Sequence, residues 1–530
     1  MKSGFFKTFC FLVISVCFTS YTSGQIISHA DLQIPALQFK ADFDSTQVTR
    51  FLLDFPQLKR YEDELRTFYR KRDYTYAWFL DGKLIEQAGN LRNRLSNLKA
   101  DGVYKKLTYT DQLDSLVLER NNSAAPNVKL ELLLTSEYFV FSSLVWEGMD
   151  TDVSTDNNWF LPRKKVAYDV YLDSLLQSHG SVSNASSEPV YRQYELLKAS
   201  LKKYRELDSK NAWSKIVATT NAKGPYSAST ISQVKKRLFL LEDYSGKLLD
   251  TLLDNEFKLA MVRFQRRHGL NPNGKIDKAT LVALNTPIKA RIQQILVNME
   301  RNRWLPVATE GDYVAVNIPE FQMHVYKNDS LLWSSNAVVG KIENPTTLFY
   351  GEINQVVFSP YWNIPESIVR KEILPGIRRD PGYLTRHNME VTGRRNGLPI
   401  VRQRPGSSNA LGQVKFLFPN SYSIYLHDTP RKSLFNERDR AFSHGCIRVE
   451  QPERLAAFLL KNDPQWTNIA IDKAMHSGRE KHVSITKKVP VFIVYMTAFV
   501  DRQNKLNFRK DIYGLDPRLA STIISGEGIY

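Results

Sequence analysis

Apolar positions recur at helical spacing through the first part of the chain. Leu91, Leu95 and Leu98 stand at i, i+4 and i+7, the aromatic run Tyr74-Thr-Tyr-Ala-Trp-Phe79 punctuates the segment, and Leu130 to Trp146 continues the pattern. Residues 25–228 are therefore expected to form a mostly helical domain. From 229 to 287 the texture changes to three short helices. Ile231, Val234, Leu238 and Leu241 mark the first face, Phe257, Met261 and Phe264 the second, and Leu281 and Leu284 the third. His268-Gly269 is a helix stop, Asn271-Pro-Asn-Gly274 a turn, and Asp277 a cap for the third helix. A connecting helix over 288–308 follows. After Arg301-Asn-Arg-Trp-Leu-Pro306 the period becomes two, and Tyr313–Ile318, Phe321–Tyr326 and Asn354–Phe358 read as strands.

The alternation lapses between Glu366 and Arg404 into Pro and Gly turns. That stretch carries nine Lys or Arg against four acids, which suggests a basic lid or binding loop, placed at 366–415. It resumes over Ser421–His427, where Tyr422, Ile424 and Leu426 are expected to face the core and Ser423, Tyr425 and His427 the other side. Val489 to Asp501 reads as one more strand, before a tail over 501–530 to which the pattern gives no role. The expected class is multidomain α+β.

Composition narrows the picture. At 530 residues the chain needs several cores, and 42% hydrophobic with 24% charged residues is a globular balance. A net charge of +17 favours a polyanionic partner: nucleic acid, an anionic membrane face or a carboxylate-rich wall polymer. The cationic start Met1-Lys-Ser-Gly-Phe-Phe-Lys7, the apolar run Phe9–Phe18 and the small residues before Gln25 read as a signal peptide over 1–24. Export makes a nucleic-acid partner poor, and a membrane association is expected only if that signal stays uncleaved. Cys10 and Cys17 would leave with it, so the mature chain would hold Cys446 alone. A lone thiol excludes an intrachain disulfide and is either inert or used.

The surroundings of Cys446 favour use. Ser443-His-Gly-Cys446 follows a turn at Asp428-Thr-Pro430, and two histidines compete to take the thiol proton: His444, two residues away, and His427, across from a neighbouring strand. Spacing leaves that choice open. Gly445 gives the backbone room to aim amide N–H groups at an oxyanion. A zinc site would need three or four protein ligands, and no further cysteine is available.

Two resemblances then appear. Val262-Arg-Phe-Gln-Arg-Arg-His-Gly-Leu270 with Gly274-Lys-Ile-Asp-Lys-Ala-Thr280 resembles the three-helix peptidoglycan-binding domain of wall enzymes, the competing reading being an ordinary helical hairpin with a basic face. His427, fifteen intervening residues and Ser443-His-Gly-Cys-Ile-Arg448 resemble the signature of YkuD-type L,D-transpeptidases, the cysteine enzymes that cross-link bacterial peptidoglycan, and the whole chain resembles their large branch. The resemblance implies a helical scaffold (25–228), a binding module (229–287) and a lidded catalytic domain (309–500). It implies Cys446 as nucleophile, His427 as base oriented by the Asp428 backbone carbonyl, and Ser443, His444 and Gly445 framing the site. Arg448 would hold the site or a substrate carboxylate, and Tyr425 would line the pocket. Asp428 and Arg448 stand where many relatives have glycine and asparagine. No cofactor is expected. The expected partners are tetrapeptide stems as donor and acceptor, with other cell-wall synthases as further candidates, in the periplasm of a Gram-negative-type bacterium. The expected reaction is a 3→3 cross-link through a thioester, with carbapenems acylating the thiol. The alternatives are an L,D-carboxypeptidase and a non-catalytic wall-binding scaffold.

Overall fold

A computed structural model describes residues 43–120, 126–177, 188–219, 226–248, 250–306 and 310–524; the signal peptide expected over 1–24 lies outside them. The N-terminal helices wrap one that is buried on nearly every side, Val128–Ser142, which is why its leucine run lacks a polar face. Buried Glu131 on this helix accepts the backbone N–H groups of Ala77 (2.6 Å) and Trp78 (3.0 Å) and the Tyr69 hydroxyl (2.8 Å).

Three short helices follow at Ala228–Leu240, Asn255–Arg267 and Lys278–Leu284, capped by the side chains of Ser227, Asp254 and Asp277. Phe257, Met261, Phe264 and Val234 close their common core. The segment 288–308 does more than connect. Its helix, Ile288–Arg303, is buried on all sides from Ile295 onward and packs on Arg192–Ser209 and Asp516–Ile523. Arg303 pairs with Glu300 and donates to the carbonyls of Asp101 and Val145, so this helix is stitched into the N-terminal domain. Asn298 brackets Thr497 from the other side, accepting its N–H (2.9 Å) and donating to its hydroxyl (2.7 Å).

The β domain closes on itself. Strands run in the order Val414–Leu417, Leu426–His427, Ile447–Val449, Ser330–Gly340, Gln322–Lys327, Asp312–Asn317, Lys481–Val494 and Leu348–Phe358, and the last pairs back onto the first. Alternate residues fill the interior, among them Val314, Val316, Val325, Val356, Phe416, Leu426, Ile447 and Val491, all fully buried. The N-terminal domain adds Trp159–Phe160 as a parallel strand beside Leu348–Phe349.

Three expectations need correction. Ser421–His427 is not one strand: only Leu426–His427 is extended, because the Asn420 side chain accepts the N–H groups of Tyr422 (3.0 Å) and Ile424 (3.1 Å) and winds a turn in which Ser423 takes φ +57. Tyr422 consequently lies exposed instead of in the core. The segment 366–415, where Pro and Gly turns were expected, forms regular structure. It folds on a core of its own (Ile364, Ile368, Val369, Ile373 and Val401) with a sheet in the order Trp362–Asn363, Leu398–Gln403 and Met389–Arg395, turned by Asn396-Gly397. Its end is also earlier than 415, since Val414 already belongs to the barrel. Finally, Val489–Asp501 divides into Lys481–Val494 and Ala498–Val500, because Asn317 and Asn298 take the N–H groups of Met496 and Thr497 away from any strand ladder.

Candidate active site

The site is set by one short parallel pairing. Leu426 lies opposite Ile447 and His427 opposite Arg448. Leu426 and Ile447 both point into the barrel core, so the alternate positions, Tyr425 and His427 on one strand and Cys446 and Arg448 on the other, share the opposite face. Tyr425 meets the His427 ring edge-on, with 5.7 Å between centroids.

His427 is buried, and its Nδ1 lies 2.5 Å from the backbone carbonyl of Asp428. A carbonyl only accepts, so Nδ1 carries a proton toward Asp428, and the Leu411 carbonyl is a second acceptor beside the ring. Burial, with the Arg448 guanidinium adding to it, pushes the imidazole down to about 3. Burial also pushes the Cys446 thiol up, Tyr425 and Arg448 pulling the other way. The resting pair is thus neutral thiol and neutral imidazole. The thiol donates to Ser423 O at 3.6 Å.

His444 faces an acid, with Glu372 as its partner among the described residues. Its Nε2 lies 2.9 Å from Glu372 of the 366–415 segment, linking that segment and the cysteine segment by a solvent-exposed pair. Asp428 turns its carboxylate away from His427, toward Lys432 Nζ (2.6 Å) and the N–H of Gln413 (2.8 Å). Ser443 Oγ donates to Cys446 O (2.5 Å) and accepts the Gly445 N–H (3.1 Å), folding the segment into a tight turn in which Gly445 takes φ +117.

Two residues that sequence reasoning missed hold this turn from behind. Thr346 Oγ1 donates to Gly445 O at 2.8 Å and accepts the Gly340 N–H at 2.9 Å. Tyr513, in the unassigned tail, donates its hydroxyl to Gly340 O (2.6 Å) and accepts the Thr346 N–H (3.2 Å). A side chain at Gly340 would strike the backbone of Asn344 and Thr346, so glycine is what lets the two segments meet. The consequence reaches the thiol: in a trans peptide the C=O and the next N–H point oppositely, so pinning the Gly445 carbonyl on Thr346 turns the Cys446 N–H to the other side. No local spacing signals either residue, since they lie 100 residues before and 67 after Cys446.

Arg448 stands beside His427 with its Nε buried and without a hydrogen-bond partner among the described residues. Burial and the neighbouring charge of Arg431 both lower its affinity for a proton. Arg431 is thus a second guanidinium close to Arg448. A groove of about 390 Å³ lined by Asn354, Gln355, Asn420, Ser423 and Tyr425 approaches from the side. No cluster of three or more metal-ligating side chains exists among the described residues.

Residues 311–471, the closed β domain with its Cys–His face, match the family model of the L,D-transpeptidase catalytic domain (YkuD). Residues 63–201 match a scaffold domain and 227–284 a putative peptidoglycan binding domain. Three segments of the chain thus resemble, in order, a scaffold domain, a peptidoglycan binding domain and an L,D-transpeptidase catalytic domain. Among individual proteins, a putative L,D-transpeptidase of Haemophilus influenzae is 35% identical over 243 residues, which are 43% of this chain and 49% of the relative. The chain thus spans about half the length of that curated relative. Solved structures it resembles include an L,D-transpeptidase from Stackebrandtia nassauensis (13% identity, 52% of this chain and 97% of that one, TM-score 0.23). Another is the L,D-transpeptidase LdtMt1 in complex with imipenem (12% identity, 35% and 59%, TM-score 0.19).

The electrostatics predict a sluggish free thiol. Alkylation of Cys446 by iodoacetamide, followed by mass spectrometry across pH, should stay slow at neutral pH and reach half its limiting rate above the ordinary thiol range, because burial disfavours the thiolate. A midpoint near neutrality would show a preformed thiolate–imidazolium pair instead.

Proposed function

We propose that this chain is an exported peptidoglycan L,D-transpeptidase of the bacterial periplasm that forms 3→3 cross-links. The observation that carries the reading is the strand pairing that presents Cys446, His427 and Arg448 on one face, with the His427 ring oriented by the Nδ1 bond to Asp428. The substrate class follows from the accompanying domains and from two guanidiniums suited to the carboxylates of a stem peptide.

The thiol swings from Ser423 O toward His427 Nε2, which takes its proton as sulfur attacks the carbonyl at the L-centre of the third stem residue, diaminopimelate. The Cys446 N–H, aimed by Thr346, donates to the developing oxyanion. Collapse breaks the bond to the terminal D-alanine, whose amine receives the proton from His427, and leaves a thioester on Cys446. The D-centre amine of a second stem then attacks the thioester, giving up its proton to His427, and the thiol leaves reprotonated. Thiol, imidazole and backbone donors suffice for this exchange. The binding module keeps the enzyme on its polymer, the lid covers the acyl site, and carbapenems acylate the same sulfur.

Incubated with tetrapeptide muropeptides, the full chain should release D-alanine and form a dimer linked through two diaminopimelate residues, while Cys446→Ala forms neither. Release of D-alanine without dimer would identify a carboxypeptidase, and no release would refute the reading. Thr346→Val should lower turnover by about tenfold with little change in KM, because a misaimed amide is lost chiefly in the transition state. An unchanged kcat would remove Thr346 from that role.

A further inference from the structure

The N-terminal domain contains a cavity that the chemistry above does not use. Its volume is about 680 Å³, within the range of small-ligand sites, and it lies some distance along the chain from the barrel strands, between the 56–61 turn, the 102–109 segment, one face of Val128–Ser142 and the end of Asp516–Ile523. Leu58, Leu107, Val140 and Ile523 give it apolar walls, and Tyr61 and Tyr109 add aromatic ones.

Its floor holds Glu137, which is 1% exposed. Glu137 Oε2 has no hydrogen-bond partner among the described residues. A buried carboxyl oxygen left in this condition is unfavourable in either protonation state. Burial alone pushes it up to about 7, with no neighbouring charge to offset the effect. Glu131 on the same helix, also pushed up to about 7 by burial, differs in its partners, since two backbone amides and a tyrosine hydroxyl donate to it. At the mouth of the cavity Lys105 and Lys106 are exposed and form no ion pair among the described residues, whereas Arg60 nearby is paired with Asp150.

We infer that this cavity is a second peptide subsite, in which Glu137 receives a primary ammonium from the ligand while Lys105 and Lys106 receive its carboxylates. The ligand class is a short peptide bearing both groups. The inference rests on the peptidoglycan reading above, under which a stem peptide with a free diaminopimelate amine supplies them. Such a subsite would hold a neighbouring stem of the same polymer while the barrel acts on another.

The test is titration calorimetry of the full chain carrying Cys446→Ala with the free tetrapeptide L-Ala-D-Glu-diaminopimelate-D-Ala. Glu137→Gln, which keeps the side-chain shape, and the double change Lys105→Ala with Lys106→Ala should each weaken one binding event about tenfold, as expected for losing a charge-assisted hydrogen bond. In the otherwise wild-type chain, Glu137→Gln should leave carbapenem acylation of Cys446 unchanged, which separates the subsite from the barrel and shows that the variant folds. Tetrapeptide should also slow amide hydrogen exchange over 102–109 in the parent and not in Glu137→Gln. Isotherms that superimpose on the parent, or no tetrapeptide binding at millimolar concentration, would overturn the inference. Glu137-dependent binding in a chain that never releases D-alanine would keep the subsite and remove the transpeptidase reading instead.

Discussion

The parallel pairing of Leu426–His427 with Ile447–Val449 is the constraint on which the site depends. It is only a few residues long, and a one-residue slip would turn Leu426 and Ile447 out of the core and bury His427 and Cys446 in their place. The barrel prevents the slip. Leu426–His427 is held on its other side by Val414–Leu417, and Ile447–Val449 by Ser330–Gly340, so the short pair is fixed between two longer strands. The apolar cost of moving two fully buried side chains thereby becomes the force that sets catalytic geometry.

Support for that geometry comes from most of the chain. Tyr513 in the tail and Thr346 behind the barrel fix the Gly445 carbonyl, and Ser443 closes the turn from within. The N-terminal domain reaches the same region through Trp159–Phe160, and Phe160 packs on Tyr422 (5.7 Å), the residue before the carbonyl that receives the thiol. The helix Ile288–Arg303 ties these parts together through Arg303 on one side and Asn298 on the other. The domains thus behave as a frame around a two-strand site.

The fold was legible where one face of an element meets the core. The three capped helices over 228–284, the strand at 312–317 and the face carrying Val325 show in the apolar period because burial selects it directly. Legibility failed where side chains capture the backbone. Asn420 winds a turn out of an alternating stretch, Asn317 and Asn298 cut a strand, and charge pairing on Glu390 by Arg402 and Arg404 disguises a sheet as a basic loop. The Asn396-Gly397 hairpin was the available signal there. At the site, the partners of the two histidines could not be read from spacing: Nδ1 of His427 meets the Asp428 carbonyl and Nε2 of His444 meets Glu372. Thr346 and Tyr513 were invisible because their partners are distant in sequence.

The central claim is that Cys446, paired with His427 across these strands, becomes acylated. Peptide mapping by mass spectrometry after brief reaction of the full chain with a tetrapeptide donor, quenched in acid without acceptor, addresses it directly. The account predicts a thioester of the stem, less its D-alanine, on the peptide containing Cys446, and none when His427 is replaced by alanine. An unmodified Cys446 during D-alanine release, or acylation elsewhere in the chain, would contradict it.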